Sequence, residues 1–205
     1  MLADVPSPID LRLMDDAREW AESAMVKRPW RTEFFAAFAD IITRQSNGNV
    51  SRILELGSGP GFLAEYLLTA LPAIDYVALD FSPAMHTLAA QRLGAQADRV
   101  QFIERSFRDN DWVLGLGTFD FVITHQAVHE LRHKQHAKNL HAQVKQLLHP
   151  HASYLVCDHY HGEDGMRNDA LYMTIDEQRT ALLDAGFGNV TQILQKNGLV
   201  LYHGR

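Results

Sequence analysis

The chain has 205 residues, enough for one well-buried domain and short for two, with nearly half of them apolar and a formal net charge of −6. That acidic balance argues against a dedicated nucleic-acid binder, whose phosphate contacts normally show as a basic excess. Cys157 is the single cysteine, which excludes an internal disulfide, and its apolar neighbours Tyr154-Leu155-Val156 mark it as a buried structural thiol.

Residues Met1 to Asp10 lack the basic start and uninterrupted apolar core of a secretion signal, and no later run is long enough to cross a bilayer. A cytoplasmic protein is therefore expected. Leu13 to Met25 reads as a helix, broken at Lys27-Arg28-Pro29-Trp30 because proline removes a donor and displaces its predecessor from helical geometry. In a second helix, Trp30, Phe34, Phe38, Ile41 and Ile42 fall at the spacing of one buried face, with Phe35 beside it. Residues 1–50 are thus expected to form a helical cap segment ahead of a core over residues 51–205.

Next comes Ile53-Leu54-Glu55-Leu56-Gly57-Ser58-Gly59-Pro60-Gly61-Phe62, which reads as a buried strand, a tight loop and a helix start. Glycines at alternate positions let a backbone turn sharply and let a ligand lie against it, although turn geometry alone also calls for glycine. A dinucleotide fingerprint needs Gly-x-Gly-x-x-Gly, and Phe62 stands where its third glycine should be. The pattern Glu55-x-Gly57-x-Gly59-x-Gly61 instead resembles the first motif of class I S-adenosylmethionine-dependent methyltransferases. That ligand carries an ammonium group, which a nearby carboxylate suits, whereas the same carboxylate would repel a pyrophosphate.

The resemblance implies an α/β, doubly wound, Rossmann-like fold with seven mostly parallel strands, the last antiparallel. It also implies S-adenosylmethionine as cofactor, released as S-adenosylhomocysteine, with Glu55, Gly57, Ser58, Gly59 and Gly61 shaping the methionine pocket. In small members of the family the N-terminal helices cap the ligand site, which makes Trp20, Arg28, Trp30 and Arg31 candidates for the substrate wall.

Phe62, Leu63, Tyr66, Leu67 and Leu71 form an amphipathic helix stopped by Pro72, and Tyr76 to Leu79 is a second strand ending in Asp80. Strand and helix in alternation predict a parallel sheet, whose ligands gather at the carboxyl ends of its strands. Asp80, nineteen residues beyond Gly61, is placed to accept from both ribose hydroxyls. It could also simply end the strand ahead of a helix capped by Ser82 and opened by Pro83. The resemblance assigns Phe81 and Met85 to the cofactor, Met85 against the adenine. After a third strand, Val100 to Ile103, Ser106 stands where the family more often has an aspartate for the adenine amino group, and Phe107 can flank the ring.

A fourth strand, Phe119 to Thr124, leads into His125-Gln126-Ala127-Val128-His129-Glu130-Leu131, and nine of the eleven histidines lie between His125 and His161. His129-Glu130-Leu131-Arg132-His133 spells the His-Glu-x-x-His of zinc peptidases. Its context differs: the motif comes directly after a buried strand, and no glycine-containing extension leads to a third histidine. We read no metal here and keep a zinc hydrolase only as an alternative. His133, His136 and His141 are expected on a polar helix face in water. His129, and after it His125, are the candidate bases for an acceptor that must lose a proton, since histidine titrates near neutral pH. His125 also lies where the cofactor would be, and His129 where the acceptor would.

Lys134 to Leu148 reads as the next helix. Leu147-Leu148-His149-Pro150-His151 resembles the family's approach to its fifth strand, with His151 and Ala152 replacing a pair of glycines. The strand Ala152 to Cys157 ends in Asp158 and His159, candidate substrate contacts. Gly162 to Asn168 reads as a flexible loop able to act as a lid, Thr174-Ile175-Asp176-Glu177 as a capping box, and Asn197-Gly198 as the turn of a closing hairpin. The expectation is an S-adenosylmethionine-dependent methyltransferase acting on an oxygen or nitrogen of a small molecule, with no nucleic-acid or membrane partner. A non-catalytic binder of the same cofactor and a nicotinamide dehydrogenase are the other rivals.

Overall fold

The computed structural model describes residues 3–205; Met1 and Leu2, the start of the expected cap segment, lie outside the described residues. The chain divides into two compact units.

The first unit is Pro8–Ser106. It holds α1 (Met14–Lys27), α2 (Arg31–Ser46), β1 (Ser51–Leu56), α3 (Phe62–Ala70), β2 (Ile74–Asp80), α4 (Pro83–Leu93) and β3 (Val100–Glu104). Its three strands pair in parallel, Leu56 opposite Leu79 and Asp80 opposite Glu104. Ile53, Leu54 and Leu56 have no exposed surface, as a parallel strand covered on both faces requires. On α1 the buried positions are Ala17, Ala21 and Ala24; on α2 they include Phe34, Phe35, Phe38, Ile41 and Ile42, the face the spacing predicts for that helix. Trp30 departs from that face: it is the N-cap of α2 and half-buried. Ser82 accepts the Met85 amide and Pro83 opens α4, as the sequence implies.

The second unit is Phe107–Arg205 together with residues 3–7. It contains β4 (Phe119–His125), α5 (Ala137–Gln146), β5 (Leu148–His159), α6 (Ile175–Asp184), β6 (Val190–Lys196) and β7 (Leu199–Gly204). β4 and β5 are parallel; β7 runs antiparallel to both β5 and β6, so it alone is reversed. The seven strands form one sheet in the order β3-β2-β1-β4-β5-β7-β6. Both elements of the capping box are present, with Thr174 Oγ1 accepting from the Glu177 amide and Glu177 accepting from the Thr174 amide. Asn197 and Gly198 both take positive φ, 47° and 78°, as a two-residue hairpin turn demands.

Two expectations fail in this unit. The helix foreseen over Lys134 to Leu148 begins as the 3-10 turn Lys134–His136, becomes α-helical only at Ala137, and has given way to β5 by Leu148. The polar histidine face is the second. His141 is 1% exposed on the inner side of α5 with Leu140 and Val144, its Nδ1 3.2 Å from the Tyr154 hydroxyl, and burial pushes its pKa down to about 4. His133 is buried too, and of the three only His136 is well exposed. His151 sits at φ 70°, in the left-handed region, where the family resemblance places glycines. Among the described residues no helix is long and apolar enough to cross a membrane.

Candidate functional site

In the first unit β1 runs into a loop whose Gly57, Gly59 and Gly61 have φ of 66°, 52° and 80°. Side chains with a Cβ avoid that region, so the alternate glycines are a backbone requirement. The end of β2 holds the first half of the loop. Leu79 O accepts from the Gly57 amide at 2.8 Å and from the Ser58 amide at 3.1 Å. Asp80 takes the Gly59 amide on Oδ2 at 2.8 Å and the Ser82 amide on Oδ1 at 2.9 Å. Asp80 therefore organises the loop as well as ending the strand.

Two observations mark this loop as able to hold a ligand. A Cβ built at Gly59 would meet no atom within 4 Å, so the space beside that backbone is open. Ser58 Oγ is buried and makes no hydrogen bond among the described residues, and an orphaned buried hydroxyl is costly unless something else satisfies it.

Glu55 is 2% exposed and accepts from the Tyr76 hydroxyl at 2.7 Å. Burial, opposed by the Tyr76 bond and aided by the Asp80 charge, pushes its pKa up to about 8. At neutral pH it is mainly the uncharged acid, where the motif suggested a carboxylate. An ammonium group brought beside it would draw the proton off.

The remaining predicted residues of this unit are more embedded. Met85 is 1% exposed in a cluster with Ala17 and Ala84, flanked by Leu11, Met14, Trp20 and Leu88. Phe81 and Ser106 are half-buried. Arg31 is buried, its guanidinium 5.4 Å from the centre of the Trp20 ring, and Trp30 Nε1 is buried without a hydrogen bond among the described residues. Arg31 thus presents its cation to the Trp20 ring face.

In the second unit, β4 ends at His125, Gln126 turns at φ 59° and donates to Cys157 O, and the 3-10 turn Val128–Leu131 carries His129 and Glu130. The register pairs His125 with Cys157, so the segment leaving β4 meets the residues at the end of β5. His129 Nδ1 lies 2.7 Å from Asp158 Oδ1, and the His129 amide donates to Asp158 Oδ2 at 2.9 Å. His129 Nε2 lies 3.4 Å from Glu130 Oε1, and Glu130 is paired in turn with Arg132. The His129 ring also neighbours His159 and Tyr172, with centroids 5.5 Å away in each case.

Burial opposes charge on His129, but the Asp158 carboxylate, with help from Glu130, more than offsets it and holds the imidazole pKa above its ordinary value. Asp158 is held below the usual carboxylate range: burial works against ionisation, and His129 and His159 outweigh it. An imidazole oriented through Nδ1 by a buried carboxylate can exchange a proton at Nε2.

The sequence reading singled out His129, His159 and Asp158 but not the bond between His129 and Asp158, and it missed Glu130 and Tyr172 as their neighbours. The one signal for the bond was that both residues lie just beyond or at strand ends. Phe107 is buried and lines, with Arg108, Asn139 and Gln143, a cavity of about 290 Å³. The His-Glu-x-x-His string does not lie on one helix face: Arg132 turns at φ 65° and His133 is extended. Among the described residues no three His, Cys, Asp or Glu side chains are grouped to hold a metal ion.

Residues 53–151 match a family described as a methyltransferase domain. A malonyl-[acyl-carrier protein] O-methyltransferase of Paenibacillus sp. (strain JDR-2) is 25% identical over 167 residues, covering 73% of this chain. The chain spans 60% of the length of that relative. Among solved structures, an O-methyltransferase family 2 protein from Planctomyces limnophilus in complex with apigenin superposes with a TM-score of 0.74 at 17% identity, over 97% of this chain and 62% of its own. The complex of DhpI with S-adenosylhomocysteine superposes at 0.67 with 21% identity, over 95% of both chains. At these identities the structural likeness speaks for the fold, the class I methyltransferase fold.

Proposed function

We propose that this chain is a class I S-adenosylmethionine-dependent methyltransferase and that it transfers a methyl group to an oxygen or nitrogen of a small molecule, with His129 receiving the acceptor's proton. The Pro8–Ser106 unit supplies the residues that hold the cofactor: the backbone of residues 57–61 and Ser58 Oγ for its methionine part, and Asp80 for the ribose hydroxyls. The open space beside Gly59 and a Ser58 hydroxyl that has no partner among the described residues fit such a ligand. When bound, it supplies a methyl carbon activated by a positively charged sulfur.

The acceptor reading is carried by the 2.7 Å contact of His129 Nδ1 with Asp158. A hydroxyl acceptor gives up its proton as the new bond forms, and an ammonium acceptor must give one up beforehand to free the lone pair that attacks the methyl carbon; Nε2 of a neutral His129 can take either proton. Asp158 keeps the proton on Nδ1 and stabilises the imidazolium that results. His159 and Tyr172 surround the same ring and are the candidate walls for the acceptor. The names of the Paenibacillus and Planctomyces relatives, both O-methyltransferases, agree with an oxygen acceptor.

A thermal-shift panel of adenosylhomocysteine, a nicotinamide dinucleotide and zinc should show stabilisation by the first alone. Turnover is then measured as adenosylhomocysteine released with phenols, carboxylic acids and primary amines. The expected result is turnover with one class, lost in His129→Ala while adenosylhomocysteine still binds. Binding with no turnover across the panel would favour the non-catalytic reading.

A further inference from the structure

Only the first half of the glycine loop is secured by β2; its second half, Pro60-Gly61-Phe62, is met by α4. A Cβ at Gly61 would come within 3.1 Å of the Ala89 Cβ and 3.2 Å of the Ala89 Cα, so the helix lies directly against the loop backbone. Three residues on, and so on the same helix face, stands Arg92. Its Nε donates to the Pro60 carbonyl at 2.9 Å, its guanidinium carbon lies 3.9 Å from the centre of the Phe62 ring, and Nη1 lies 3.6 Å from Glu65 Oε2. One side chain thus touches the loop, the first residue of α3 and the first turn of that helix.

The backbone explains why this matters. Pro60 has no amide hydrogen, so the 59–60 peptide offers no donor to anchor it. The 60–61 peptide is held at both ends: its carbonyl by Arg92 and its amide by Ser58 O at 3.2 Å. Glycines have more backbone freedom to lose than other residues, so a loop carrying three of them binds a ligand well only if something else fixes it beforehand.

We propose that Arg92 is a positioning residue for the cofactor: it braces the Pro60–Gly61 peptide and so presets the loop backbone on which S-adenosylmethionine lies. The proposal rests on the reading of this loop as the cofactor site. Nothing in the sequence marks Arg92, which sits beside Gln91 on what looks like a solvated helix end.

The test compares Arg92→Met, Arg92→Lys and Glu65→Gln with the parent protein in three measurements: calorimetric affinity for adenosylhomocysteine, melting temperature, and amide exchange across residues 58–63. Methionine keeps an apolar stem against Phe62 and removes the donor; lysine can still reach the Pro60 carbonyl. Arg92→Met should weaken binding about tenfold through lost preorganisation and speed exchange in residues 58–63 with little change in melting temperature. Arg92→Lys should recover part of the affinity, and Glu65→Gln should leave it within about twofold of the parent. Unchanged affinity in Arg92→Met, or an equal loss in Glu65→Gln, would overturn the proposal. If the parent protein fails to bind adenosylhomocysteine, the cofactor reading falls. The exchange comparison on the free protein then still decides whether Arg92 braces the loop, faster exchange supporting it and unchanged exchange contradicting it.

Discussion

His129 Nδ1 lies 2.7 Å from Asp158 Oδ1, across the 29 residues that separate them in the chain. The carboxylate raises the histidine's pKa, so at neutral pH part of the population is protonated and unable to accept a proton. The acidic limb of the kcat/KM profile is therefore expected above the ordinary histidine range. Asp158→Asn should move that limb to lower pH and cut kcat by about 10²-fold, because His129 loses the carboxylate that holds its tautomer and stabilises its imidazolium, within the range that general-base catalysis contributes. A pH profile of the variant that overlays the parent's would remove His129 from the reaction.

Asp80 bonds the Gly59 and Ser82 amides with separate oxygens. Asp80→Ala should weaken adenosylhomocysteine binding by about 1.5–3 kcal/mol, the cost of losing a charge-assisted hydrogen bond. Calorimetry with unchanged affinity would take Asp80 out of the site.

Glu55 gives a pH dependence of defined sign. Its folded pKa is about 8 against an ordinary 4.5, so the folded state holds this proton more tightly than the unfolded one. The contribution is complete below 4.5 and is lost as pH rises through 8. His141, depressed to about 4, works oppositely, losing stability as pH falls from 6.5. Urea unfolding of Glu55→Gln and its parent at pH 5 and pH 8.5 isolates the first effect. The parent should lose more stability than the variant over that interval.

Gly59 and Gly61 separate space from strain. Gly61→Ala meets Ala89 at close range with φ at 80° and should cost roughly 1–3 kcal/mol of stability in urea unfolding. Gly59→Ala meets open space and should cost only about 1 kcal/mol, the strain of its positive φ. Its new methyl group stands where the ligand would lie, so it should weaken adenosylhomocysteine binding more than stability.

Residues 53–62 are legible because each glycine answers a local backbone need and the flanking residues carry the period of a strand and then a helix. Asp80 is legible from its place at a strand end. Its bond to Gly59 is not, since spacing does not say which amide a side chain will meet. The His129–Asp158 bond depends on the parallel register of β4 and β5, and one step of slip would separate them. His141 reads as exposed because its neighbours Lys138, Asn139 and Gln143 are polar. Its burial rests on Tyr154, a partner on another element. The late start of α5 is hidden because Lys134-Gln135-His136 contains no helix breaker, and the 3-10 turn there depends on tertiary contacts such as Lys134 N to Ala170 O.

The most direct measurement is a crystal structure of the protein with adenosylhomocysteine. The account predicts the amino-acid end of the ligand on the backbone of residues 57–61 and its ribose hydroxyls on Asp80. A nucleoside bound elsewhere, with that loop untouched, would contradict it.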